Sequence, residues 1–195
     1  MGAFKAYDIR GIYNQDFNKT DVYRIGFFLP KLLKTKKVLV GRDVRLSSPE
    51  IYDSLTLGIT DAGAEVYNIG LSTTPMVYWA TAHYGFDASV MITASHNPKE
   101  YNGLKISRTN ALPVGYDSGL DKLEELIKTK EIVFNEIIGA KNLANSENVG
   151  RNDITMNDGI ADNSKTQIRI EHMIELAMDG NFYFYIFQTE GNIEH

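Results

Sequence analysis

Between Lys37 and Thr93 the chain alternates short apolar runs with capped helical stretches, and that alternation limits the folds open to it. Val38-Leu39-Val40, Val66-Tyr67-Asn68-Ile69 and Ser89 to Thr93 read as buried strands. Between the first two, Ser47-Ser48-Pro49-Glu50 predicts a helix start, with an N-cap, a proline in the first turn and an early carboxylate. Ile51, Leu55, Ile59 and Ala62 follow at helical spacing, and Gly63 can end that helix. Thr74-Pro75 predicts the cap of a further helix, with Met76, Trp79 and Ala80 on one face. Short strands separated by helices imply right-handed crossovers and a largely parallel sheet. In such sheets functional loops gather at the carboxyl ends of the strands, where Gly41-Arg42-Asp43 and Ala94-Ser95-His96 both fall.

The flanks extend this unit. Ile25, Phe28, Leu29, Leu32 and Leu33 form an apolar helix face after a cap at Thr20 or Asp21, and Pro30 within it predicts a kink or a division. Asn102-Gly103 predicts a turn into Leu104-Lys105-Ile106, a strand expected to pair antiparallel with Ser89 to Thr93. Asp121 to Lys130 predicts a surface helix with Leu123, Leu126 and Ile127 turned inward. Lys141 to Lys165, rich in Asn, Asp, Ser and Gly, reads as a long loop or linker. Gln167 to Met178 has helical periodicity. Phe182 to Phe187 is a dense aromatic run that needs a sheet, a core or a partner to cover it, so self-association through 182–187 is one expectation.

Composition narrows the function. A hydrophobic fraction of 43% in 195 residues is enough for a real core. The net charge is −5 and no basic run stands out, which argues against nucleic-acid and membrane-surface partners. No cysteine is present, so disulfides and thiolate chemistry are excluded. The amino terminus lacks an apolar signal region, and the longest apolar stretch, Ile25 to Leu33, is too short to span a bilayer. The expected location is cytoplasmic.

Ser95 ends a strand and precedes His96, but neighbours in extended chain point to opposite faces, so a hydrolytic Ser–His dyad is the wrong geometry. No Gly-x-Ser-x-Gly elbow surrounds it either. A phosphate carrier suits it better. A phosphoserine brings about −1.5 to −2 charges, and Arg10, Arg42 and Lys105 are candidate cations for them. A bare Ser-His pair before Asn97-Pro98 reads rather as an ordinary turn.

The longer segment is more specific. Thr93-Ala94-Ser95-His96-Asn97-Pro98, with Tyr101-Asn102-Gly103-Leu104-Lys105-Ile106, closely resembles the active-site serine loop of the α-D-phosphohexomutase family, which includes phosphomannomutases and phosphoglucomutases. Phe4 to Gly11, Val40 to Arg45 with Ser47-Ser48, and Gly70 to Pro75 resemble further motifs of that family in the same order, over roughly residues 4–107. The resemblance implies an α/β fold, a three-layer αβα sandwich with a mixed, mostly parallel sheet. It implies an isomerase that interconverts hexose 1- and 6-phosphates through a phosphoserine at Ser95 and a hexose 1,6-bisphosphate intermediate, with Mg2+ held in part by the serine phosphate. Arg10 and Lys105 match positions beside the phosphoserine, with Lys105 the candidate general acid/base. His96 and Asn97 would orient the loop and contact phosphate, and Tyr7 could contact ligand. Arg42 and Asp43 read equally as a strand-end pair or as part of the site. Lys105 has a competing reading as a solvent-facing strand residue, and His83 reads as surface or packing.

The family normally has four domains in a chain more than twice this long. The resemblance therefore implies residues 1–135 as the serine-bearing domain and 136–165 as a polar linker or loop. Residues 166–195 would be a helix–strand extension or the start of a second domain. A truncated chain with little activity of its own is the corresponding expectation. A sugar-phosphate-binding or regulatory domain and an oligomerising module are the competitors. Asp158-Gly159-Ile160-Ala161-Asp162-Asn163 reads either as a degraded metal loop, lacking one of three carboxylates, or as a chance pattern in a polar stretch.

Overall fold

Strands and helices follow one another as β1 (Ile9–Ile12), α1 (Lys19–Leu33), β2 (Lys37–Arg42), α2 (Ser48–Asp61), β3 (Glu65–Leu71), α3 (Thr74–His83), β4 (Ala88–Ile92), β5 (Tyr101–Arg108), β6 (Leu112–Pro113), α4 (Leu120–Thr129) and β7 (Arg151–Asp153). The computed structural model describes residues 2–132 and 151–153. The sheet order is β1-β5-β4-β2-β3-β7, with β6 beside the end of β5. β4, β2, β3 and β7 pair in parallel, and β5 runs antiparallel to both β1 and β4. One reversed strand therefore lies within an otherwise co-directional sheet, which is the mixed, mostly parallel arrangement expected.

Alternation along β2 distributes its side chains to two layers. Val38 and Val40 join Ile25, Phe28, Ile51, Leu55, Leu123 and Ile127 in the larger core beneath α1, α2 and α4. Leu39 joins Val77, Ala80, Phe86 and Met91 in the smaller core beneath α3. These two cores make the structure an αβα sandwich. Among the described residues no helix is long and apolar enough to cross a membrane.

Several local expectations are corrected. The cap of α1 is Asn18, whose Oδ1 accepts from the amides of Thr20 at 2.8 Å and Asp21 at 3.3 Å. Asp21 returns the bond by accepting from the Asn18 amide at 3.0 Å, as a carboxylate three residues after a cap can. Pro30 does not divide α1, which continues to Leu33. It falls in the last turn, where one lost hydrogen bond matters little beside tight packing on α2. There a Cβ on Gly58 would lie 2.1 Å from the Tyr23 carbonyl oxygen, and one on Gly26 would lie 2.2 Å from that of Leu55.

The α3 cap is Thr73 rather than Thr74, and the buried face of that helix is Val77, Ala80 and Thr81. Trp79 lies at the edge, its ring stacked at 4.4 Å on His83, which is thus a packing histidine. Asn102-Gly103 is not a turn but the start of β5. A Cβ on Gly103 would stand 2.2 Å from the Ile9 carbonyl oxygen, so this glycine permits close approach of β1 instead of bending the chain. Within the stretch read as a loop, Arg151–Asp153 pairs with Val66–Asn68 as an edge strand. Backbone pairing at an edge needs no apolar pattern, which is why periodicity misses it. The readings of 136–150 and 154–195, including 182–187 and Asp158–Asn163, lie outside the described residues.

Two outcomes are expected. Gly58→Ala forces α1 and α2 apart and lowers stability by about 3 kcal/mol, read as a fall in urea midpoint. Tyr23 donates to Asp61 at 2.9 Å across the same helix pair. Burial first, then Asp61, pushes its phenol from 10.0 up to about 12. Its stabilising share is complete below pH 10, where the unfolded phenol is neutral, and is lost as pH rises from 10 to 12. In Tyr23→Phe, thermal melts across that window lose this part of the alkaline decline.

Candidate active site

The serine loop joins β4 to β5 at the carboxyl end of β4. Thr93, buried, donates its amide to the Gly103 carbonyl at 3.0 Å and so extends the ladder past Ile92. Its hydroxyl oxygen then accepts from the Ser95 amide at 2.9 Å. Ala94 is fully buried, which anchors the entry to the loop. Ser95 adopts the left-handed backbone, with φ 54°, and lies exposed beside the exposed His96. Two turns complete the loop: the Asn97 amide donates to Ala94 O at 3.1 Å and that of Tyr101 to Pro98 O at 3.0 Å.

β1 brings a cation to this loop, because β1 lies on the far side of β5 and runs with β4. Arg10 Nη1 donates to Asn97 Oδ1 at 3.1 Å. The other end of its guanidinium pairs with Asp8. Lys105, on β5, also pairs with Asp8 Oδ2, at 3.2 Å. Asp8 is buried, so one shielded carboxylate holds both cations. Arg10 Nε is buried and finds no acceptor among the described residues. A buried donor without an acceptor is costly, and an arriving anion would relieve that cost. Burial pushes the Tyr78 phenol of α3 above its ordinary range; the Ser107 hydroxyl opposes the shift and the Asp8 charge adds to it.

The predicted residues do not all meet. Arg10, Asn97 and Lys105 gather around Asp8. Lys105 is thus an ion-paired residue rather than a freely solvated one. Arg42 instead sits 5.9 Å over the Tyr52 ring. Asp43 pairs with Arg45 at 3.2 Å, so the expected Arg42–Asp43 pair is replaced by Asp43–Arg45. The side chain of residue 42 follows the strand alternation into the helix layer, whereas that of residue 45 leaves from the loop. Tyr7 is 79% exposed and forms a wall of a cavity of about 390 Å³ with Phe4, Lys5, Ala6, Tyr116 and Asp117.

Asp8 and Arg45 escaped the sequence reading. Both carry a signal in hindsight: an acid and an arginine stand two residues apart, Asp8-x-Arg10 and Asp43-x-Arg45, close enough along the chain to pair. A buried polar chain also escaped it. Asn102 Nδ2 donates to the hydroxyls of Ser47 at 2.8 Å and Ser48 at 3.0 Å, and Ser48 donates to Asp43 Oδ1 at 2.7 Å. This explains why Ser47 makes no side-chain cap on α2. As for Mg2+, the described residues contain no group of three metal-ligating side chains. Asp8 and Asp43 are each matched with cations, so these residues do not by themselves make a Mg2+ site.

The fold and this loop define an α/β/α domain with a serine at a strand end. The chain belongs to the phosphoglucomutase/phosphomannomutase family, and residues 1–133 match its alpha/beta/alpha domain I. It is 45% identical over 131 residues to a phosphomannomutase of Klebsiella pneumoniae, covering 67% of this chain and 83% of that relative. A phosphomannomutase of Escherichia coli is also 45% identical over 131 residues, but the match spans 29% of its length. Among solved structures, a phosphoglucomutase/phosphomannomutase family protein of Burkholderia thailandensis superposes with a TM-score of 0.59 at 31% identity, covering 65% of this chain and 30% of that one.

Asp8→Asn should leave Arg10 and Lys105 without their shared counter-charge. The expected loss is about 2–3 kcal/mol by urea unfolding, below that of a fully buried pair because both cations are part-exposed.

Proposed function

We propose that this chain carries the phosphoryl-bearing serine of a phosphohexomutase that interconverts hexose 1- and 6-phosphates. The observation that carries the reading is Ser95 itself: exposed, in left-handed backbone, on a loop whose Asn97 is bonded to Arg10. A serine presented this way can accept and release a phosphoryl group. Phosphoryl transfer asks the protein mainly for positioning and charge stabilisation, and Arg10 and Lys105 supply positive charge. When Ser95 is phosphorylated, the bond between phosphorus and Oγ breaks as a bond to a sugar hydroxyl oxygen forms. The hydroxyl proton leaves and Oγ regains one. Lys105 is the candidate to move that proton, and Asn97 and His96 the candidates to meet phosphate oxygens. Tyr7, at the rim of its cavity, is the candidate for sugar contact. The relatives' names favour mannose phosphates among the hexoses. The implied Mg2+ would find one ligand here, the phosphate on Ser95, and would take the others from outside the described residues.

A second reading, a sugar-phosphate-binding module that does no chemistry, is favoured by the matched state of Asp8 and Asp43, whose carboxylates are both engaged by cations rather than open to a metal. One experiment separates the two. Incubation with mannose or glucose 1,6-bisphosphate is expected to add about 80 Da, one phosphoryl group, mapping to Ser95 by peptide mass spectrometry. Label on another residue overturns the serine assignment. A raised melting temperature with sugar phosphate and no label supports the binding module.

A further inference from the structure

Arg45 donates every N–H of its guanidinium. Nε reaches Asp43 Oδ2 at 3.2 Å, Nη1 reaches the carbonyls of Pro98 at 2.7 Å and Tyr101 at 3.0 Å, and Nη2 reaches those of Ser95 at 2.8 Å and Asn97 at 2.7 Å. Arginine has five such donors in a rigid fork, so none is left for a substrate anion. We propose that Arg45 is the positioning residue of the serine loop: it sets the backbone of residues 95–101, and with it the left-handed Ser95, without binding phosphate. The link to catalysis rests on the proposed role of Ser95; the clamp itself does not.

The loop needs such a device. Left-handed backbone at a residue other than glycine costs about 1–2 kcal/mol, and the loop's own amide bonds are few. Four carbonyl oxygens converge on one point, where their like-oriented dipoles would repel without a cation between them. The Arg45 side chain is 12% exposed, so little of its charge is spent on solvent. Its neighbours Val44 and Leu46 turn outward, 57% and 96% exposed, which marks residue 45 as the inward member of its loop. The clamp is itself anchored. Asp43 also accepts from the Arg45 amide at 3.0 Å and from Ser48, and Asn102 of β5 donates to Ser48. The start of α2, the end of β2 and the first residues of β5 are thereby tied to the loop through one guanidinium. Lysine, with three donors on a point charge, cannot span these acceptors.

The test compares Arg45→Lys and Arg45→Ala with the wild-type 195-residue chain by amide hydrogen exchange. Both variants are expected to speed exchange of the Asn97 and Tyr101 amides by at least about tenfold, a local opening, with the Leu39 and Val90 amides unchanged. Guanidinium ion at tens of millimolar is expected to slow the loop again in Arg45→Ala, and ammonium is not. Phosphorylation of Ser95 by a hexose 1,6-bisphosphate should slow in both variants and recover with guanidinium in Arg45→Ala. Wild-type loop exchange in Arg45→Lys would overturn the clamp, as would a loss of protection spread evenly over the sheet. Slower phosphorylation with an unchanged loop would make Arg45 a direct phosphate ligand and overturn it too. If Arg45→Ala does not fold, Arg45→Lys decides. An unlabelled wild-type Ser95 would count against the proposed function, while the exchange data would still decide the clamp.

Discussion

The site depends on one strand that runs against its neighbours. Antiparallel strands can be joined by a short connection, whereas parallel ones need a crossover. Because β5 reverses beside β4, the serine loop doubles back over the carboxyl edge of the sheet instead of leaving it. Because β5 also pairs with β1, Arg10 stands opposite Gly103 in the register. The same strand supplies Lys105 to the charge cluster and Asn102 to the polar chain at α2. Had β5 run with the others, none of these groups would converge on the loop.

Two arginines divide the electrostatic work. Arg45 is saturated by carbonyls and Asp43, and so holds the loop's shape. Arg10 retains a buried Nε without an acceptor among the described residues. Asp8 balances Arg10 and Lys105 before any anion arrives, which keeps two neighbouring cations from repelling each other in a half-buried place. A phosphate at Ser95 would compete with that carboxylate for the same donors. The exposure of Ser95 and His96 contrasts with the burial of Thr93, Ala94 and Asn102 on either side. A buried frame thus presents an exposed tip.

Much of the fold was legible. Strands β2, β3 and β4 and helices α2 and α4 followed from apolar runs and spacing, because burial on a sheet or a helix leaves a periodic trace. Arg10, Lys105 and Asn97 stood out in the sequence through their motifs, and the structure gathers all three around Asp8. What stayed hidden has no periodic trace. The Asn102 partnerships, the loop carbonyls on Arg45 and the edge strand Arg151–Asp153 depend on which segment lies alongside which. Asn102-Gly103 misled because a dipeptide that favours turns was serving a close strand contact. Arg42 misled because a basic residue at a strand end was taken for a site cation, when strand alternation sends it to Tyr52.

The sequence by itself determined the parallel strands β2, β3 and β4 with their helices, the position of the serine at a strand end, and the family to which the loop belongs. These are local properties: hydrophobic spacing, caps and a motif along one stretch of chain. The tertiary structure decided which charges meet. It joined Asp8 to both Arg10 and Lys105, and gave Arg45 its acceptors from residues roughly 50 positions away. Hydrogen-bond geometry at that separation is set by the reversal of β5 and by strand register, which no single segment encodes.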